Sequence, residues 1–144
     1  MKKRKIKFFL MVSVMGVSIF ALNNVSIAAD DNIGFKFTIK SVQENAYSGS
    51  RYRQTNDTNN KWKVQLKSSG EGKGTITRFW LAKKTTWDGN VVASDLKNVK
   101  QGAGATYSTA YKKANKSDVV LGAENNNVSY NTYSVSGVWD EETW

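Results

Sequence analysis

Apolar and polar residues alternate along much of this chain with a period of two, the spacing that puts every second side chain of a strand on one face of a sheet. Phe35, Phe37 and Ile39 alternate with Lys36, Thr38 and Lys40 and predict a first strand with its aromatic face inward. The most regular stretch runs from Trp62 to Leu81. There Trp62, Val64 and Leu66 share one face, opposite Lys63, Gln65 and Lys67. After Ser69-Gly70-Glu71-Gly72-Lys73-Gly74, a second run sets Thr77, Phe79 and Leu81 against Ile76, Arg78 and Trp80. Two alternating runs about a glycine-rich connection predict a hairpin. Its second strand carries large side chains on both faces, so one face is expected in the core and the other as a surface patch. Trp80 is then either buried between two layers or part of a binding face.

Shorter runs complete the pattern. Arg51-Tyr52-Arg53-Gln54-Thr55 predicts an edge strand guarded by its arginines. Val91-Val92-Ala93 and Val119-Val120-Leu121 predict two more strands, and a last one runs from about Val128 to Trp139, with Tyr133, Val135, Gly137 and Trp139 on one face. From Thr106 to Ala114 a helical period competes with a strand period. Strand is favoured because Asn115-Lys116-Ser117-Asp118 makes a turn. Asp95 to Lys100 is ambiguous between the two periods. About seven short strands separated by polar turns predict an all-β fold, a small antiparallel β-sandwich or barrel-like domain.

The first residues depart from this pattern. Met1 to Lys7 is densely basic, Phe8 to Leu22 is apolar apart from small residues, and Ser26-Ile27-Ala28-Ala29 precedes Asp30. This order describes a secretory signal peptide over residues 1–28, cut after Ala28 or Ala29, followed by a single β domain over 29–144. The alternative is an uncleaved anchor, but the apolar run is shorter than the ~20 residues that span a bilayer. Removal takes away Lys2, Lys3, Arg4, Lys5 and Lys7, which lowers the formal charge of +9 by five, to +4. That value fits mild attraction to anionic wall polymers and gives no support to nucleic-acid binding. Membrane contact is expected only through the leader.

Three residue types are absent from the 144: cysteine, proline and histidine. Without cysteine there is no disulfide, thiol nucleophile or lipid attachment, which in an exported protein points to a Gram-positive bacterium. Lack of proline rules out a sortase signal of the Leu-Pro-x-Thr-Gly type, and no apolar tail follows, so the protein is expected to be secreted and extracellular. Without histidine the commonest general base and the usual triad are missing. The roughly 115 residues of the domain can bury about two thirds of their unfolded surface, and aromatic side chains must supply much of that core.

Candidate chemistry is sparse. Glu44, Glu71, Glu124, Asp140, Glu141 and Glu142 hold the carboxylates a glycosidase pair would need, but most lie in turns where acidic residues are simply solvated. Asp57-Thr58-Asn59-Asn60, Glu124-Asn125-Asn126-Asn127 and Asp140-Glu141-Glu142 offer hard oxygen donors without the spacing of a calcium loop. No cofactor, metal or catalytic residue is expected. Trp62 and Trp139 lie on core faces, whereas Arg78, Trp80, Trp87 and Trp144 make up the expected binding surface.

Short landmarks spread over the chain carry a resemblance: Gly34-Phe35-Lys36-Phe37, Arg51-Tyr52-Arg53-Gln54-Thr55, Trp62-Lys63-Val64, Ser69-Gly70-Glu71-Gly72, Phe79-Trp80-Leu81, Glu124-Asn125-Asn126 and Ser136-Gly137-Val138-Trp139-Asp140-Glu141-Glu142. On these the chain resembles an uncharacterised family of small exported proteins, a domain of unknown function from Gram-positive bacilli and their relatives. The resemblance implies an export context and no catalytic residues. The leading expectation is a secreted, non-enzymatic β domain that binds a cell-surface ligand: a glycan, a wall polymer or a protein. The alternative is a bacteriocin-like or toxin-like effector acting on neighbouring cells, a looser likeness drawn from small exported bacteriocins rich in Trp, Tyr and Gly. An enzyme acting on glycans comes third.

Overall fold

The computed structural model describes residues 30–87 and 89–143. The expected leader with Ala29, Asp88 and Trp144 lie outside the described residues. Ten strands follow in order: β1 (Ile33–Ile39), β2 (Ala46–Tyr47), β3 (Arg51–Arg53), β4 (Trp62–Ser69), β5 (Ile76–Lys84), β6 (Asn90–Val92), β7 (Lys97–Lys100), β8 (Thr106–Ser108), β9 (Ser117–Asn125) and β10 (Tyr133–Asp140). Two antiparallel sheets form a sandwich. Sheet one has the order β1-β10-β4-β8, and sheet two has β2-β9-β5-β6, with β3 also paired to β9 and β7 to β5. The all-β sandwich is as the alternation predicts. The additional strands come from short pieces at the sheet edges.

The Trp62–Leu81 stretch is not a hairpin. β4 pairs with β10 and β8, while β5 pairs with β9, β6 and β7, so residues 70–75 carry the chain from one sheet to the other. Both runs turn their apolar faces inward, and they meet across the core rather than edge to edge. The core between the sheets holds Phe35, Phe37 and Ile39 of β1, Trp62, Val64 and Leu66 of β4, and Phe79 and Leu81 of β5. Val119, Leu121 and Ala123 of β9 and Tyr133, Val135 and Trp139 of β10 add to it, with Ala93, Val99, Ala110 and Ala114 at its margins. Phe35 joins the layers, stacked on Phe37 at 5.1 Å and tilted against Phe79 at 5.5 Å. Each such ring removes ~150–250 Å² from water, which is how a domain without disulfides secures its core.

Two glycines seat aromatic rings directly across a strand pair. Phe35 faces Gly137 in the β1–β10 ladder, and a Cβ added there would lie 1.9 Å from the Gln65 carbonyl oxygen and 2.8 Å from Phe35 Cζ. Trp80 faces Gly122 in the β5–β9 ladder, where an added Cβ would lie 2.2 Å from Trp80 Cε2. Trp80 is on the outer face of sheet two, yet it is only 2% exposed. It lies down on Gly122 beside Ala82 and Val120, with Tyr47 edge-on at 6.0 Å. Neither expected position describes it: it is outside the sandwich and still buried.

Sheet two has both edges broken into two short strands, and a serine fills each break. Ser48, between β2 and β3, accepts the Leu121 N–H at 2.9 Å, while its own N–H bonds the Leu121 carbonyl at 2.9 Å. Ser94, between β6 and β7, accepts the Leu81 N–H at 2.8 Å beside the Ala93 N–H bond to the Leu81 carbonyl. Leu81 and Leu121 are themselves cross-strand partners. The central ladder is thus satisfied at the same level on both sides.

Other elements differ in detail. Thr106–Ser108 is strand, as favoured, and Lys112–Ala114 closes as a short 3₁₀ turn; Ser108, Ala110 and Ala114 are buried, while Tyr107 and Tyr111 of both expected faces are exposed. Lys97–Lys100, unassigned by pattern, pairs with β5, and the last strand starts at Tyr133 rather than Val128.

Candidate functional site

The break at Ser48 opens a groove of about 370 Å³ between sheet two and the free edge of β1. This is within the range of small-ligand sites. One wall is β1 from Ile33 to Phe37, and the other is the stretch from Tyr47 to Arg51, with Trp139 beneath. Among the described residues β1 pairs as a strand only with β10, and its other edge faces the groove as an open strand edge. Phe35, Phe37 and Trp139 are buried and make the floor apolar, while Lys36, Gly49 and Ser50 are exposed at the rim. Ser48 Oγ also donates to the Gly49 carbonyl at 2.8 Å, which fixes the wall. The site therefore combines an aromatic floor, an open strand edge and a cationic rim.

One end of the groove is held by charge. Arg51 Nη2 donates to Asp31 Oδ2 at 2.6 Å and Nε donates to Glu141. The Glu141 hydrogen bond raises the guanidinium above its usual pKa against the opposing effect of burial. Behind it lies Arg53, 0% exposed. Its guanidinium donates to the carbonyls of Glu141 and Asn60, to the Asp57 carbonyl at 3.2 Å and to Asn115 Oδ1 at 3.4 Å. Burial lowers its pKa, and the neighbouring carboxylates Glu142 and Glu141 partly oppose this. The arginines do not guard an edge; Arg53 points inward and stitches the chain's last residues to the loop after β3.

The terminal carboxylates are likewise buried rather than solvated. Glu142 accepts the N–H groups of Gln54 at 2.9 Å and Thr55 at 2.8 Å. Asp140 accepts the N–H of Asp31 at 2.7 Å and that of Glu142 at 3.2 Å. Burial, with the nearby Asp30 carboxyl and the charge of Glu141 adding to it, pushes the Asp140 carboxyl up to about 6. Asp30 is lowered, chiefly by its bond to Lys63 Nζ.

The residues expected to form a binding surface are not gathered here. Arg78 is half-buried on the outer face of β5, paired with Glu124 at 2.9 Å, and Trp80 is buried next to it. Trp87 stands 93% exposed beyond the end of β5. Trp144 lies outside the described residues. The groove residues Tyr47 to Arg51 read as turn and edge strand because nothing local marks the partner wall. The sequence signal for them is slight: the small residues Ser48-Gly49-Ser50 just ahead of the alternating run that starts at Arg51.

Among the described residues no group of three or more His, Cys, Asp or Glu is placed to hold a metal ion. The loop oxygens considered as calcium donors are engaged: Asp57 Oδ1 by the Asn59 N–H at 2.8 Å, and Asn125 Oδ1 by the Asn127 N–H at 3.0 Å.

A family profile described as "Protein of unknown function (DUF2712)" matches residues 19–143. No curated protein matches the chain. The chain is similar to the crystal structure of PirA, with 10% identity, a TM-score of 0.43, and coverage of 78% of this chain and 98% of that one. That likeness is too distant to bear on function.

Proposed function

The chain belongs to the DUF2712 family, which has no assigned activity, and we propose that it is a secreted, non-enzymatic binding module that takes a cell-surface ligand in the β1 groove. The observation that carries this reading is the groove itself: an open strand edge over Phe35, Phe37 and Trp139, rimmed by Lys36 and Arg51. Such an edge binds an extended chain through its backbone groups, and the apolar floor takes part of its side chains or sugar faces. A surface glycan, wall polymer or extended protein segment meets that description. The basic leader and apolar run support export, and the absence of histidine and cysteine supports binding over catalysis.

Gly49 and Gly34 make the test clean. Neither has any atom within 4 Å of an added Cβ, and neither has a positive φ, so a bulky residue enters the groove without backbone strain. Retention of the exported protein on purified cell wall and on whole cells at low salt is expected. Gly49→Trp should reduce it at least about tenfold, equivalent to ~1.4 kcal/mol. Equal retention of parent and Gly49→Trp rejects the groove, and retention of neither rejects wall binding.

A second reading, an effector acting on neighbouring cells, has one observation in its favour. Trp87 is fully presented to solvent, as an interfacial anchor would be. Protein that leaves anionic vesicles intact, with Trp87→Ala behaving identically, rules it out.

A further inference from the structure

Asp140 is a carboxylate in an unusual position. It is 1% exposed, and among the described residues no lysine or arginine nitrogen lies within 4.0 Å of it. Its neighbours are two backbone N–H groups and the Asp30 carboxyl. Lys63, its cross-strand partner on β4, spends its ammonium on Asp30 instead. Arg51, from β3, is taken by Asp31 and Glu141, and Arg53 mainly by backbone carbonyls. Five carboxylates (Asp30, Asp31, Asp140, Glu141, Glu142) are thus gathered with three cations (Lys63, Arg51, Arg53), and the one buried deepest has no cation beside it. Burying a carboxylate without a partner is expensive, so this corner lacks a positive charge.

The place for that charge is marked by the chain itself. The Asp31 amide nitrogen is 2.7 Å from Asp140 Oδ2. The expected leader cut, after Ala28 or Ala29, falls two residues or one residue before it. At roughly 3.3–3.6 Å of chain per residue, the α-nitrogen freed by the cut is held within about 7 Å of the Asp31 nitrogen. We propose that removal of the leader supplies the missing cation: the new α-ammonium group enters the acidic corner and pairs with Asp140. Peptide-bond hydrolysis by a signal peptidase, with water as co-reactant, gives a carboxylate on the leader and an amine that is protonated at neutral pH. The processed chain end becomes a structural part of the domain, and the fold is completed by the cut. This inference rests on the export reading and not on the groove.

The test uses the full chain expressed with its own leader in a bacterial secretion host, with the product taken from the medium. Intact mass should place the first residue at Ala29 or Asp30; a retained leader rejects the export reading itself. In a companion variant, Gly-Ser inserted between Ala29 and Asp30 moves the amine by about 7 Å while leaving the cut unchanged. The native product is expected to melt a few degrees above the inserted one at pH 7, and the gap should close at pH 9.5, where the amine is neutral. Asp140→Asn should remove the gap at both pH values. If the variants fold poorly, the pH dependence of α-amine acylation gives an independent reading: its midpoint should lie above the ordinary ~7.7–8.0 in the native product and within that range in the inserted one. A correctly cut product whose amine acylates with an ordinary midpoint, or which melts like the inserted variant, overturns the proposal and leaves export standing.

Discussion

Gly122 and Gly137 decide where two aromatic rings lie, and each is a residue whose importance is its missing side chain. Gly122→Ala puts a methyl group into the Trp80 ring, and no flexible side-chain end is there to give way. The expected cost is about 1–3 kcal/mol, read from the denaturant midpoint. Because the collision is with Trp80, the same change in a Trp80→Ala background should cost much less, and additive losses would contradict the seat. Arg53 makes the complementary case of a residue defined by what it reaches. Its guanidinium spans four oxygen acceptors. Arg53→Met should therefore cost about 3–5 kcal/mol in urea unfolding, and Arg53→Lys should recover little of it, since a single ammonium cannot span that fork. At this scale the aromatic core is legible in the sequence, because Phe35, Phe37, Trp62 and Trp139 announce themselves by alternation. Arg53 is not. The alternation places it on one face with Arg51 and Thr55, but a rule that sends charge outward assigns that face to solvent. The acceptors that reverse the assignment include the Glu141 carbonyl, 88 residues away.

At the scale of elements, the two serines show how a sheet can end in fragments without leaving its centre unpaired. Ser94 is fully buried, and Ser94→Ala strands the Leu81 N–H at a cost of about 1–3 kcal/mol. Ser48 borders the open groove, so water can replace its hydroxyl and Ser48→Ala should cost less. Thermal melts of the two variants side by side check the order. The fragments also explain why alternation undercounts the strands: the missed pieces, β2 and β7, have two and four residues, too few to show a period. The arch from β4 to β5 escapes the pattern for a different reason. Glycines between two apolar runs mark a reversal of direction, but they do not say whether the second run joins the first at its edge or crosses to face it. Here Gly70 donates its N–H to the Ser134 carbonyl at 2.7 Å, which ties the crossing to β10 rather than to β5. The groove is illegible for the same reason, since its walls belong to different sheets.

At the scale of the molecule, the acidic corner sets a pH response. Where no amine reaches it, Asp140 holds its proton more tightly folded than unfolded, where its value is near 3.8. Its favourable contribution is then complete below that value and is lost as pH rises through about 6, by on the order of 3 kcal/mol. Asp30 runs the other way: its lowered pKa gives stability that is present above the ordinary carboxylate value and lost as pH falls through the folded one. Comparing Asp140→Asn with its parent in the Gly-Ser-inserted chain isolates the first effect. Urea titrations at pH 4.5 and 7.5 should show the parent losing stability relative to the variant at the higher pH.

One further consequence follows from the place of β10. The last of the described strands is an inner strand of sheet one, inserted between β1 and β4, and Ile33 finds Trp139 as its partner only once the chain has reached that far. Until then β1 and β4 have no shared neighbour and Phe35 has no Gly137 to rest on. Sheet two, whose strands lie within residues 46–125, takes nothing from β10, whereas sheet one cannot close before it, and loop closure over such separations is slow. The order of its strands makes sheet one the later of the two layers to close.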